Sequence, residues 1–441
     1  MKKKVLSIVL CGAMVGSLTA CGGGSAETNT NTNTKAAEAP AGDANTLSVY
    51  AWDTSFNIPA LKAAEADYQA NVNPDFKLEI IEQAASGDVE TAITTAASAG
   101  NFETLPDIVL FQDRYIKSYV ANYPDAWKEI NDIDIKWDDF SAAKVAYSTI
   151  DGVHYGVPVD NGTVICAYRT DLLEAAGYTI DDMTGISWEK FIEVGEKVYA
   201  ATGKYLMCMN GDGNDMVPMM GQAEGVAMFK DGVPYITENE TLVKIVDLVC
   251  EMVDKKVLYL ANSWSDYTDQ AIQGDMVAGV MNGNWIIPTI KKVESNSGKW
   301  AITSMPTING GEGYASSGGC SLYVTSNCAN VDLAKDFLAK TFGSSTVTYD
   351  GALTDGGVVT CYAPAGGSEV YNQPVPFFND QAIYADIVEM GTHVEIIEES
   401  DYHYSCRDYI STAIINVVQN GYKLEDALKE AEDNLKFEMG M

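Results

Sequence analysis

The chain has 441 residues, 46% of them hydrophobic and 20% charged, which is ample apolar material for a large folded body. Its 62 acidic residues against 28 basic ones give a formal net charge of −34. A surface that acidic repels nucleic acid and anionic lipid headgroups, so neither is an expected partner.

Lys2, Lys3 and Lys4 precede a mostly apolar run from Val5 to Ser17. The run is short and carries small residues, the build of an export signal rather than a membrane span. Leu18-Thr19-Ala20-Cys21-Gly22 resembles the lipobox of bacterial lipoproteins. The resemblance implies a signal peptide over 1–20, cleavage before Cys21 and a diacylglycerol on its sulfur. The mature protein would then sit on the outer face of the cytoplasmic membrane, touching it through the lipid alone. Residues 21–44, with the repeat from Thr28 to Thr34, offer little apolar surface to offset the entropy of ordering and read as a flexible tether.

From about Asn45 the composition becomes globular, and roughly 400 residues exceed a core of the usual ~100–200, so two lobes are expected. Leu47 to Trp52 is a short β-rich run, and Gly87-Asp88 opens a helix that stops at Gly100. Pro106 to Phe111 is nearly all apolar, as a strand covered on both faces should be. Ser187 can cap a helix carrying Trp188, Phe191, Ile192, Val198 and Tyr199, and Asn330 another carrying Leu333, Ala334, Phe337 and Leu338. The last helix, from Leu424 to about Phe437, sets Leu424, Ala427, Leu428, Ala431 and Leu435 on one face. Strands alternating with helices predict α/β lobes with largely parallel sheets, whose ligands bind at the carboxyl ends of the strands.

Of nine cysteines, Cys11 leaves with the signal and Cys21 is the acylation point. The remaining Cys166, Cys208, Cys250, Cys320, Cys328, Cys361 and Cys406 form no CxxC pair, and their spacing suits neither a disulfide framework nor zinc, so they read as small core residues. His154, His393 and His403 lie far apart, and HExxH, GxSxG, Walker and GxGxxG signatures are missing. Asp212-Gly213-Asn214-Asp215 reads as a turn rather than a calcium loop. Neither metal nor cofactor is called for, and the chain reads as a binder rather than an enzyme.

Asp151 to Asp160, DGVHYGVPVD, resembles a segment of the family 1 extracellular solute-binding proteins, the maltodextrin-binding-protein-like receptors of ABC importers. The likeness continues through Cys166 to Gly177, Ser187 to Phe191, Gln273 to Trp285, Lys299 to Pro306 and Ser317-Gly318-Gly319. Arg169 departs from the family's usual asparagine, and 348–378 is unusually rich in glycine, proline and aromatics. The resemblance implies a monomer with two α/β lobes, a ligand cleft between them and several hinge crossovers. It implies 45–157 and 322–371 as lobe one, 158–321 and 372–441 as lobe two. Lobe closure on a carbohydrate, an oligosaccharide above all, and delivery to ABC permease subunits are the expected function. A receptor for a peptide, polyamine or organic phosphate is the alternative, and a surface polysaccharide-degrading enzyme the third.

Sugars are held by rings against their C–H faces and by planar polar groups on their hydroxyls. Trp285 follows the turn Asn282-Gly283-Asn284 and occupies the position at which the family stacks a ring, against a core reading for the same residue. Trp52-Asp53 sits just past the first strand, and Asp113, with Arg114 beside it, follows the strand ending at Phe111. Asp160-Asn161 lies at the crossover, where a hydroxyl-binding carboxylate competes with an Asx-stabilised hinge turn. Gly318-Gly319 brings backbone amides to the ligand or merely bends a strand. Tyr404 and Arg407 precede a helix that the resemblance puts at the cleft, unless Arg407 pairs with a surface acid. Trp127, Trp137, Trp188 and Trp300 read as core.

Overall fold

A computed structural model of the chain describes residues 44–441 apart from Asp212 and Asn214. The signal, Cys21 and all but the last residue of the tether lie outside the described residues. The body carries two main sheets. The first orders its strands Lys77–Glu82, Thr46–Ala51, Ile108–Gln112, Cys320–Val324 and Gly156–Asp160. The first three pair in parallel, whereas Cys320–Val324 runs antiparallel to both its neighbours. Ile108, Val109, Leu110 and Phe111 are all at most 1% exposed. Their alternating side chains feed two apolar clusters: Ile108 and Leu110 pack with Leu47 and Val49, Val109 and Phe111 with Val89 and Ile93.

The second sheet corrects the expectation of largely parallel pairing. Val164–Arg169 lies at its centre, antiparallel to both Gly279–Gly283 and Trp300–Thr303. Beside it, Met207–Asn210 and Leu258–Ala261 pair in parallel, and Tyr205 bridges Val277 in parallel. In the first sheet, the one antiparallel strand follows from the crossovers. Gly156–Asp160 leaves the first sheet at its carboxyl end and Cys320–Val324 re-enters there, so the returning strand must run the other way. Both strands lie whole within that sheet, so the chain leaves it after Asp160 and rejoins it at Cys320, slightly outside the edges at 157 and 322 read from the sequence.

Helix ends follow the local chemistry. Ser187 accepts from the Lys190 amide at 3.2 Å and starts Trp188–Thr202, and Gly203 ends it at a φ of 73°. Asn330 accepts from the Leu333 amide at 3.1 Å ahead of Val331–Lys340. Asp88 reaches back to the Ala85 amide at 3.0 Å at the start of Ser86–Ala99. The final helix, Leu424–Glu438, buries Ala427, Leu428, Ala431 and Leu435. Trp127, Trp188 and Trp300 are at most 6% exposed, and Trp137 is half-buried with its ring stacked on His154 at 4.1 Å. All seven body cysteines are buried and free. The departing Arg169 forks onto Asp171 and reaches Asp275 at 2.6 Å, a pairing that an asparagine is too short to make.

Candidate functional site

Strand carboxyl ends from both sheets converge on one cavity of about 590 Å³. Trp52 and Gln112 mark the ends of the first-sheet strands, Asn210 and Trp264 follow the parallel pair, and Asn282 and Trp285 close the Gly279–Gly283 strand. Clefts of this volume take small organic ligands. Another cavity, of about 470 Å³, opens beside the edge strand Trp300–Thr303 away from these strand ends and has no tryptophan in its wall.

Trp285 is half-buried at the heart of the wall. Its indole N–H donates to the Ser317 carbonyl at 2.8 Å, and the ring packs against apolar clusters of both sheets. Gly318 and Gly319 both line the cavity in left-handed conformation, with φ of 71° and 88°. A Cβ at Gly318 would fall 2.9 Å from the Trp285 indole nitrogen, and one at Gly319 2.7 Å from an Asp113 carboxylate oxygen. Trp52 and Asp53 line the opposite wall, Asp53 at a φ of 63° with its carboxylate accepting from the Ser55 amide at 2.9 Å.

Tyr404 and Arg407 sit in the first turns of the helix His403–Asn420 rather than ahead of it. Tyr404 stacks on Tyr115 at 4.0 Å and donates to the Gln112 side-chain carbonyl at 3.2 Å. Arg407 lies 4.5 Å over the Tyr404 ring, with Asp215 at 3.1 Å and Asp408 at 2.9 Å. Asp160 lines the cavity at 1% exposure and accepts from the Cys320 amide at 3.0 Å. Burial pushes its carboxyl up to about 6 against the opposing pull of Lys144.

Two of the expected residues are placed elsewhere. Asp113 is 2% exposed and lines a different cavity, ion-paired with Lys144 and accepting from Ser321 at 2.9 Å. Asn161 bonds Thr163 at 3.3 Å and faces Gly391. Arg114 is buried outside the cavity too, paired with Glu399 and donating to the Ser316 carbonyl at 3.1 Å.

The sequence reading passed over Trp264, Tyr267, Tyr115, Asn57 and Glu90, all of which line the cavity. Trp264 is 49% exposed, with one face stacked on Tyr267 at 5.1 Å and its ring 5.9 Å from Trp285. It precedes the π-helix Asp266–Ile272, a rare local form often found at functional sites. The buried side-chain oxygen of Asn57 has no hydrogen-bond partner among the described residues. Burial raises the Glu90 carboxyl to about 7, with Arg407 pulling the other way. Among the described residues no group of three or more His, Cys, Asp or Glu side chains could hold a metal.

The wall is thus three tryptophans and three tyrosines interleaved with carboxylates and amides, suited to gripping a ligand by ring faces and hydrogen bonds. Comparisons with known proteins agree with this architecture. The model of the bacterial extracellular solute-binding protein family matches residues 62–373. A lactose-binding protein of Rhizobium radiobacter is 32% identical over 393 residues, covering 88% of this chain and 92% of its own. An arabinooligosaccharide-binding protein of Halalkalibacterium halodurans is 22% identical over 352 residues, 76% of this chain and 77% of its own. Among solved structures, the GacH receptor of Streptomyces glaucescens shares the fold with a TM-score of 0.73 at 16% identity, over 89% of this chain and 97% of that one. The ABC-transporter-associated binding protein of B. animalis subsp. lactis, solved with β-1,6-galactobiose, gives 0.72 at 18% identity over 89% and 96%. With a family match over most of its length and a 32% identical relative spanning nearly all of it, the chain belongs to the bacterial extracellular solute-binding proteins.

Proposed function

We propose that the protein is a carbohydrate receptor of an ABC importer, held at the cell surface by a lipid on Cys21. The observation that carries the reading is the cavity itself, with Trp52, Trp264 and Trp285 around strand ends from both sheets. Flat apolar rings meet the C–H faces of a pyranose, and the interleaved amides and carboxylates bond its hydroxyls. The names of the relatives support the same class, since they bind lactose and arabinooligosaccharides. A disaccharide or short oligosaccharide is the proposed ligand, and permease subunits the proposed partners. Lobe one comprises 45–160 and 320–371, lobe two 161–319 and 372–441, and closure turns on the crossings near 161–163 and 317–319. The Ser86, Glu90, Tyr115, Tyr404 and Arg407 side chains come from helices of both sheets, so one ligand bridges them.

A thermal-shift screen of the full chain against neutral mono- and oligosaccharides, followed by calorimetric titration, tests the proposal. A sugar at 100 times its dissociation constant adds about 2.7 kcal/mol of stability by linkage. A panel in which peptides or polyamines shift the melting point and no sugar does would overturn it.

A further inference from the structure

We propose that the cavity selects against ligands that carry negative charge, with Glu90 as the residue that enforces this choice. The inference rests on the carbohydrate reading and narrows it to neutral and amino sugars, against uronates and sugar phosphates.

It follows from which polar groups of the wall are already engaged. The one cation of the described wall is engaged, and so are several of its neutral donors. Arg407 is held by Asp215 and Asp408, and Trp285 donates to the Ser317 carbonyl. Gln112 donates to Ser86 at 2.8 Å, and Tyr404 donates back to Gln112 at 3.2 Å. Lys144, which does not line the cavity, is fully buried and bonded to Asp113 and the Cys320 carbonyl. Two carboxylates, by contrast, are open. The Glu90 carboxylate has no hydrogen-bond partner among the described residues, and Asp53 is bonded only to an amide of its own turn. A ligand hydroxyl or ammonium donates to such groups. A ligand carboxylate meets like charge with no unengaged cation of the described wall to answer it.

One feature opposes this selection. The amino-terminal end of the helix Ser86–Ala99, which favours anions, lies in the same wall. Asp88 in its first turn already bonds the Ala85 amide and offsets that preference locally. Glu90 stands one turn further in, on the face that meets the cavity, so an anion at the helix end would approach it directly.

The test, run at about pH 8.5 so that the Glu90 carboxyl is ionised, titrates the full chain calorimetrically with the tightest-binding neutral sugar of the screen, its uronate with the C6 alcohol oxidised, and its 2-amino analogue. The uronate should bind about tenfold or more weaker than the neutral sugar, and the amine at least as tightly. Glu90→Gln, which keeps the shape and removes the charge, should narrow the uronate deficit severalfold while the neutral sugar moves less. A second arm needs no ligand. Glu90→Gln should raise quenching of tryptophan fluorescence by iodide relative to neutral acrylamide, because Trp264 is half exposed in the same cavity. A uronate binding as tightly as its neutral parent, or a deficit and an iodide response both indifferent to Glu90→Gln, overturns the inference. If no sugar binds, the carbohydrate reading falls, and the iodide arm still decides the charge of the cavity.

Discussion

Trp264 and Trp285 look interchangeable in a list of cavity residues, yet their surroundings predict opposite phenotypes. Trp264 is 49% exposed and rests on Tyr267 through one face only. A tryptophan buries about 150–250 Å², so a sugar covering the open half removes about 100 Å² from water, about 2.5 kcal/mol at ~25 cal/mol/Å². Ordering the ligand and the wall offsets part of that. Trp264→Ala should therefore weaken binding by about 1.5–2 kcal/mol, about 10- to 30-fold, and leave ligand-free stability nearly unchanged. Trp285 donates to the Ser317 carbonyl and fills space against both sheets' clusters, with Gly283 and Gly318 closed upon it. Trp285→Ala should cost about 3 kcal/mol of folding stability, the low end for a large aromatic because the ring is partly exposed, as well as affinity. Urea melts of the ligand-free variants and calorimetric titration with the same sugar separate the two. If Trp264→Ala lowers the melt as far as Trp285→Ala does, or leaves affinity intact, the division of labour is wrong.

Lys144→Met should destabilise the body by about 3–5 kcal/mol, because it strands Asp113 as an unpaired buried charge, and pairing it with Asp113→Asn should recover much of the loss in denaturant melts. Arg114 and His403 hold the half-buried Glu399 carboxyl down at about 2, against an ordinary 4.5. Its folded value being depressed, Glu399 contributes fully above about pH 4.5 and loses the contribution as pH falls through 2. That contribution is of the order of 3 kcal/mol, so the stability gap between wild type and Glu399→Gln should close over this window. Cys21→Ala should abolish lipid labelling and release the chain or leave its precursor unprocessed, and a variant still labelled and membrane-bound would refute the lipobox reading. Small-angle scattering should show the radius of gyration falling when a binding sugar is added; tight binding with no such change would contradict lobe closure.

Much of the fold was legible because local chemistry decides it. Ser187 and Asn330 cap the helices they precede, and the unbroken apolar run 108–111 is a strand covered on both faces. The logic of a turn after a strand brought out Trp52 and Trp285, and it would have found Trp264, which follows Leu258–Ala261 and the pair Asn262-Ser263. The same logic put Asp113 in the cleft, where it is not. It stands at a strand end, but Lys144, 31 residues on, covers it, and no spacing rule announces that pairing. Glu90 was hidden for the opposite reason: in a chain with 62 acids, only geometry shows which carboxylate faces the cavity.

The buried charges beside the cavity make sense as devices of register. Between Asp160 and Pro158 the pairing of the two crossing strands slips at Cys320 and Ser321, a bulge that interrupts the ladder where the chain re-enters the first sheet. The Cys320 amide goes to Asp160 at 3.0 Å instead, and its carbonyl to Lys144 at 2.7 Å, while Lys144 also holds Asp113, the first helical residue after the neighbouring strand. Both polar groups of one residue are thus satisfied by charged side chains from two other elements. A buried ion pair contributes little net stability, yet a slip of one residue would leave several charges unanswered in the interior. That penalty fixes where Gly318 and Gly319 turn, and with them the backbone against which Trp285 is seated. The cavity wall is therefore held in register by buried charges: Asp160 lines it, and Asp113 and Lys144 stand outside its lining.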